Sequence, residues 1–155
     1  MSSKHSNDPK SQPVYLWGES DRLTPGDLLD RLQHYHEISG LETDHFSLGG
    51  TVKLLEEQMA SLLGKQSAIF MPTGTLANHL ALRHLCHSEK RVIVPEQSHI
   101  YNDTGDGLEK LSGLKLIPLG KNRVCFSLNE LKETIKNTKT GRVDTPIGAL
   151  VIESP

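Results

Sequence analysis

The hydrophobic positions along this chain fall into two patterns that alternate with each other. Short uninterrupted apolar runs, closed by proline, glycine or charged residues, predict buried strands, whereas apolar residues spaced by three and four predict helices. The predicted strands cover residues 68–71, 91–94, 115–119 and 147–152. Because helical stretches lie between them, the pattern favours βαβ crossovers and a mostly parallel sheet.

Capping residues mark where several of the predicted helices begin. The first helix is expected to start behind Thr24 and to bury a stripe of Leu28, Leu32 and Tyr35. A second helix is expected to be capped by Thr51 and stopped by Gly64, and a weak helix is expected over about residues 103–111. The last predicted helix opens on the capping-box pair Ser127 and Glu130.

A strand, a tight turn and a helix follow one another over residues 67–86. Spacing predicts that Leu76 and Leu85 lie on the apolar face of this helix and His79 on the opposite one. A helix that opens on glycine and threonine after a strand presents free backbone N–H groups, so the turn Thr73-Gly74-Thr75 suits a phosphate. From spacing alone, simple capping of the helix by Thr73 or Thr75 is favoured over phosphate binding. Neither a dinucleotide fingerprint nor a Walker A loop is present.

The order of the predicted elements indicates an α/β protein with three layers, a mostly parallel sheet flanked by helices. Residues 1–13 are predicted to be a polar disordered tail, residues 14–50 an N-terminal arm and helix, and residues 51–155 part of a larger α/β domain. A parallel sheet needs helices on both faces. The predicted helices are too few for that, so we expect the domain to be truncated at its C-terminal side.

Composition narrows the class of protein further. The chain has 155 residues and a formal net charge of −2, and it has no basic stripe of the kind that binds nucleic acid. No apolar run is long enough to cross a bilayer, so a membrane partner is not expected. The two cysteines, Cys86 and Cys125, form no disulfide framework, which favours a reducing compartment such as the cytoplasm.

Candidate chemistry gathers in the polar segment after the second predicted strand. Ligands of open α/β sheets bind at the carboxyl ends of the strands, where Glu96, His99 and Asp103 follow. Spacing alone favours a surface histidine and solvated carboxylates. The neighbours of His84 on its helix lack the spacing of a metal site, so no metal is predicted.

Two motifs in this region give the chain a family resemblance. The run TVKLLEEQMASLLGKQSAIFMPTGTLANHLALRHLC, followed by VIVPEQSHIY, resembles the threonine aldolase and β-eliminating lyase family of fold type I enzymes. The resemblance covers about residues 24–155 and implies the N-terminal part of the family's large domain. The family depends on pyridoxal 5'-phosphate, so the resemblance implies this cofactor. Neither motif would be specific without the other.

The resemblance also implies roles for the matched positions. Gly74 and Thr75, with Thr73 at the edge, would bind the cofactor phosphate, and His99 would stack on the pyridine ring and act in catalysis. Ser20, in the segment SDRLTP, would help to hold the substrate carboxylate.

The implied activity is that of a lyase in amino-acid metabolism. The expected substrate is a small amino acid, and the expected reaction is either aldol cleavage of a β-hydroxy amino acid to glycine and an aldehyde or β-elimination. Family members assemble as homodimers or homotetramers. In the family, the lysine of the Schiff base and the aspartate that pairs with the pyridine nitrogen lie beyond the equivalent of Pro155. The alternative is therefore a non-catalytic truncated or degenerate relative.

Overall fold

The computed structural model describes residues 23–41, 43–44, 46 and 48–153. The predicted tail, most of the predicted arm and Ser20 lie outside these residues. The helices and strands of the described chain are, in order, α1 (Pro25–Ser39), α2 (Gly50–Leu62), α3 (Gly74–Cys86), β1 (Arg91–Pro95), α4 (His99–Asn102), α5 (Gly107–Ser112), β2 (Lys115–Leu119), α6 (Leu128–Thr138) and β3 (Ile147–Leu150). Among them there is no helix long and apolar enough to span a membrane.

The three strands form one parallel sheet in the order β2-β1-β3. Ile93 in the central strand pairs with Ile117 of β2 and Leu150 of β3. The four residues of β1 after Arg91 are buried, as expected of a central parallel strand with an uninterrupted apolar run. The predicted α/β class with a parallel sheet and flanking helices is therefore confirmed.

The hydrophobic core connects one set of helices to the sheet. Val92 and Val94 of β1 are fully buried, and two residues of α3, Leu82 and Cys86, pack in the same cluster. The other buried members of the cluster are Ile100 of α4, Leu108 of α5, and Leu114 and Leu116. This core holds α3, α4 and α5 close to β1, which fixes the position of the turns that precede α3 and α4.

The chain divides into two compact units, residues 1–68 and residues 69–155. The domain boundary predicted at residue 51 stays a prediction. In the first unit, α1 begins behind Thr24 as predicted, with a capping box in which Thr24 Oγ1 accepts from the N–H of Asp27 and Asp27 Oδ2 accepts from the N–H of Thr24. The predicted buried stripe is wrong, because α1 has no buried residue. Spacing marks a face that is able to pack, and burial also requires a surface to pack against.

The second helix begins slightly earlier than predicted. Gly49 occupies its cap position without a side-chain hydrogen bond, so Thr51 is the second residue of α2 and not its cap. Ala60 is the buried residue of this helix. Gly64 follows the helix with a φ of +61°, as expected of a glycine that stops it.

Two of the predicted elements are wrong. Residues 68–71 do not form a strand, and Ile69 and Phe70 are 73% and 51% exposed. The described sheet consists of β2, β1 and β3 alone, so this apolar run is not one of its strands. The predicted helix over residues 103–111 is wrong in its first part: only α5 overlaps it, because Gly105 and Asp106 adopt left-handed backbone before α5 begins.

The buried face of α3 also differs from the prediction. Leu82 and Cys86 are the residues that reach the core, whereas Leu85 is largely exposed. His79, which was predicted to face solvent, is half-buried. Two apolar stripes with the same spacing of four run along this helix, so spacing could not decide which one packs.

Candidate active site

The carboxyl ends of the three parallel strands meet at one edge of the sheet, where the predicted ligand site lies. The turn after β1 leads directly into α4, whose first residue is His99. The segment after β3 extends to Glu153 along the same edge, where the N–H of Val151 continues the pairing by donating to the carbonyl of Ile93 at 2.9 Å. Side chains from distant parts of the sequence therefore meet here.

The turn before α3 satisfies part of its own backbone. Thr73 is the cap residue: its Oγ1 accepts from the N–H of Leu76 at 3.1 Å, and its carbonyl accepts from the N–H of Ala77 at 3.1 Å. The N–H groups of Gly74 and Thr75, at the first two positions of the helix, have no partner within the helix. The capping interpretation is therefore confirmed for Thr73, and two donors at the positive end of the helix dipole have no acceptor in the part of the chain that the structure describes.

Gly74 lies beside open space. A Cβ placed on this residue would meet no atom of the described chain within 4 Å, and its φ is not in the left-handed region. Packing in the described chain therefore does not require a glycine at this position. At Gly120, by contrast, a Cβ would lie 2.6 Å from the carbonyl oxygen of Cys125. An open approach to two free N–H donors fits a phosphate group.

His99 lies next to this turn. Its Nε2 is 3.4 Å from Oγ1 of Thr75, although the two residues are 24 positions apart in the sequence. Its Nδ1 is 3.3 Å from Oδ2 of Asp103. Which of Nε2 and the Thr75 hydroxyl donates depends on the tautomer of the ring, and Asp103 offers only acceptor oxygens beside Nδ1. The side chain is 52% exposed, so one part of the ring remains open to a ligand.

The short helix α4 is held by partners far from it in sequence. The N–H of His99 donates to Oε2 of Glu153 at 2.8 Å, and the N–H of Ile100 donates to Oε1 of Glu153 at 3.3 Å. At the other end of the turn, Nδ2 of Asn102 donates to the carbonyls of Glu96 and Ser98. Ile100 is anchored in the core.

Sequence reasoning did not identify Glu153 and left Asp103 as a solvated carboxylate. The i,i+4 spacing of His99 and Asp103 is a usable signal, but only if a helix is assigned to that segment. For Glu153 the signal is its position just after a buried strand that ends at the ligand edge.

A cleft of about 240 Å³ opens beside Thr75, between α3, α4 and α5. Its apolar wall includes Leu76, Ile100 and Leu111, and its polar wall includes His79, whose Nε2 is 2.7 Å from Oγ of Ser112. The cleft therefore offers mostly apolar surface next to the Thr75–His99 pair.

Metal and thiol chemistry find no support among the described residues. That part of the chain contains no group of three or more His, Cys, Asp or Glu side chains able to hold a metal ion. The rings of His84 and His87 lie 5.4 Å apart without further candidate ligands. Burial raises the pKa of the Cys86 thiol, which makes it a poor nucleophile.

The chain is similar in sequence to a known protein family and to several of its relatives. A family sequence model described as beta-eliminating lyase matches residues 38–154. The low specificity L-threonine aldolase of Escherichia coli (strain K12) is 38% identical over 69 residues, which are 44% of this chain and 21% of that protein. The low-specificity L-threonine aldolase 1 of Arabidopsis thaliana is 25% identical over 116 residues, 74% of this chain and 28% of that protein.

Similarity extends to solved structures. A putative L-allo-threonine aldolase from Listeria monocytogenes EGD-E is 30% identical, with a TM-score of 0.68, over 87% of this chain and 35% of that one. The chain thus spans between about a fifth and about a third of the length of these proteins.

Proposed function

Because this chain belongs to the β-eliminating lyase family, we propose that the protein binds pyridoxal 5'-phosphate and cleaves a small β-hydroxy amino acid to glycine and an aldehyde. β-Elimination from a small amino acid is the second reaction in the same proposal. The observation that carries it is the distance of 3.4 Å between Thr75 Oγ1 and His99 Nε2. This contact joins residues 73–75, the phosphate-type turn, to residues 98–102, the histidine turn. Relatives named low-specificity L-threonine aldolases support the aldol reaction over elimination.

The turn before α3 is proposed to hold the phosphate. The backbone N–H groups of Gly74 and Thr75 donate to it, and the Thr75 hydroxyl adds a third donor. Thr73 stays engaged with the N–H of Leu76 and fixes the turn from its edge. The open space at Gly74 lets the phosphate come close to the backbone.

His99 is proposed to carry two roles at this site. Its half-exposed ring provides a flat surface against which the pyridine ring stacks. Its Nε2 takes the proton of the substrate hydroxyl, and the carboxylate of Asp103, 3.3 Å from Nδ1, favours the tautomer whose proton is on Nδ1. The cofactor, when bound, supplies the electron sink for breaking a bond at the amino acid's α-carbon.

Several properties of the whole protein are part of the proposal. Ser20 helps to hold the substrate carboxylate, the protein forms a homo-oligomer, and it works in the cytoplasm. These rest on the family and on the low cysteine content. The Schiff-base lysine would come from sequence outside this segment.

The experiment is a titration of the purified full-length protein with pyridoxal 5'-phosphate, followed by an assay for glycine and aldehyde from β-hydroxy amino acids. We expect saturable binding, which Thr75→Ala weakens by about 1–3 kcal/mol through the loss of a charge-assisted hydrogen bond. Thr51→Ala is the matched control, because Thr51 is likewise the second residue of a helix that opens on Gly-Thr. A protein that folds but neither binds the cofactor nor releases glycine would instead be a non-catalytic relative.

A further inference from the structure

Glu153 is the only residue among those described whose carboxylate accepts from the backbone N–H groups of the histidine turn. We infer that Glu153 is a positioning residue: it fixes the backbone that carries His99 and so sets where the imidazole faces the cofactor. The part of this inference that concerns the cofactor rests on the proposed function.

The first turn of α4 cannot stabilise itself. The helix has four residues, and a helix of that length does not persist without outside support. Ser98 occupies its cap position, but the Ser98 Oγ makes no hydrogen bond within the described chain, although the residue is only 2% exposed. The carbonyl of Ser98 accepts from the N–H groups of Tyr101 and Asn102. The N–H groups of His99 and Ile100 are thus the ones that need an acceptor from elsewhere.

Glu153 supplies that acceptor from 54 residues further along the chain. Both of its carboxylate oxygens are used, one for each N–H group. A carboxylate at the first turn of a helix is favoured by the helix dipole, and its hydrogen bonds are stronger than those of a neutral acceptor. Pairing of Val151 with Ile93 in the sheet fixes the backbone two residues before Glu153. The carboxylate is therefore attached to the rigid sheet.

Local contacts alone leave the imidazole loosely held. The ring is half-exposed, and its two polar contacts, to Thr75 and Asp103, are 3.3–3.4 Å long. Such contacts orient a ring only if the backbone beneath it is fixed. Through the N–H of His99, Glu153 connects this backbone to β3 and thereby sets the spacing between His99 and Thr75.

The test compares three substitutions in the full-length protein. Glu153→Gln keeps the size of the side chain but replaces one acceptor oxygen by an amide group that cannot accept from an N–H. Glu153→Asp keeps the charge on a side chain one methylene shorter, and it serves if the Gln variant does not fold. Glu109→Gln is the matched control, because Oε1 of Glu109 also accepts a backbone N–H, that of Leu116 at 3.2 Å.

Three measurements separate positioning from stability. The ring signal of His99 is followed by NMR of the protein with ¹³C-labelled histidine and without cofactor. Affinity for pyridoxal 5'-phosphate and the circular dichroism of its bound absorption band report the orientation of the bound ring. Thermal unfolding reports stability.

We expect both Glu153 variants to shift or broaden the His99 signal, to weaken cofactor binding about tenfold and to change the dichroism of the bound band, with smaller effects for Asp. Glu109→Gln should lower the unfolding temperature without changing the other two readouts. If the Glu153 variants only lower the unfolding temperature, Glu153 is an ordinary structural cap and the inference is wrong.

The two proposals fail in different ways. If the wild-type protein does not bind the cofactor, the proposed function fails, and the His99 signal without cofactor still decides whether Glu153 positions the ring. If the wild-type protein binds the cofactor and the Glu153 variants match it in the His99 signal and in cofactor binding and dichroism, the positioning inference fails while the proposed function stands.

Discussion

The helices α3 and α4 begin in similar ways but are fixed by different means. Both follow a hydroxyl-bearing residue with extended backbone, Thr73 in one case and Ser98 in the other. Thr73 closes its own turn by accepting from the N–H of Leu76. Ser98 makes no such bond, and the first two N–H groups of α4 donate to Glu153, which comes from beyond β3.

The two turns of the proposed site are therefore positioned by different parts of the chain. The phosphate-type turn is built from neighbouring residues, so it forms wherever the local sequence forms a helix. The histidine turn takes its position only once β1 and β3 have paired, because Glu153 lies at the end of that pairing. The group proposed to bind phosphate is therefore local in origin, and the group proposed to move a proton depends on tertiary structure.

The largest effect is expected for substitutions of His99 in the histidine turn. His99→Phe keeps a flat ring for stacking and removes the proton-carrying Nε2, whereas His99→Ala removes both. If proton transfer matters, the Phe variant should bind pyridoxal 5'-phosphate well but turn over slowly, by a factor of ~10² or more. The Ala variant should also bind pyridoxal 5'-phosphate more weakly, by roughly 1–3 kcal/mol. This is the range for replacing an aromatic residue that stacks on a nucleic-acid base by alanine.

Cofactor affinity and single-turnover cleavage, measured for both His99 variants, check this prediction. Wild-type values for both would assign His99 to an ordinary surface position. His84→Ala is a suitable control, since His84 is an exposed histidine near the far end of α3.

The next largest effect is expected at the phosphate-type turn. Gly74→Val fills the open space in front of the free N–H groups and should lower the affinity for pyridoxal 5'-phosphate by about tenfold or more. Gly26→Val in α1 is the control, because Gly26 also lies in the first turn of a helix and its Cβ would make only an ordinary contact, 3.7 Å from Thr24 Oγ1. Equal affinities for the two variants would mean that the phosphate does not approach the backbone of Gly74.

A smaller effect tests whether the α3 turn is locally fixed. Thr73→Ala removes the acceptor for the N–H of Leu76 and should cost about 1 kcal/mol of local stability, the usual value of a threonine cap. Hydrogen exchange of the Leu76 amide should then become about fivefold faster, while the amide of His99 should be unchanged. If exchange at His99 accelerates equally, the two turns are coupled, and the conclusion that neighbouring residues alone fix the α3 turn is wrong.

How far the sequence predicts this structure follows the same division between local and distant causes. The start of α1 behind Thr24 and the capping box of Ser127 and Glu130 were predicted correctly, because each depends on residues at most three positions apart. Strand β2 was predicted with its observed bounds, and β1 to within one residue, since an apolar run needs little more than burial.

Features that depend on distant partners were not predicted. The run at residues 68–71 has the composition of a strand but lacks a pairing neighbour among the described strands. The buried face of α3 depended on which of two equal stripes met β1. Glu153 was missed because its partners are 54 residues away, and only the sheet topology brings them together.

The smallest predicted effect concerns a second locally capped helix, α6. Hydrogen bonds from the Ser127 N–H, the Arg123 guanidinium and the Ser127 hydroxyl lower the pKa of Glu130 from 4.5 to about 2. A carboxyl with a lowered pKa stabilises the folded state fully above its unfolded value. The contribution of Glu130 is therefore present above pH 4.5 and is lost as the pH falls towards about 2.

Urea unfolding of the wild type and of Glu130→Gln at a series of pH values checks this prediction. The wild type should be the more stable protein at pH 6. The difference in the free energy of unfolding should shrink steadily below pH 4.5, because Glu130 takes up a proton in the unfolded chain while it is still ionised in the folded one. Glu133→Gln, on the same helix but outside the capping box, should show no such convergence. A difference that stays constant down to pH 2.5 would mean that the charge of Glu130 does not support the cap. The local fixing of α6 would then rest on the Ser127 hydroxyl alone.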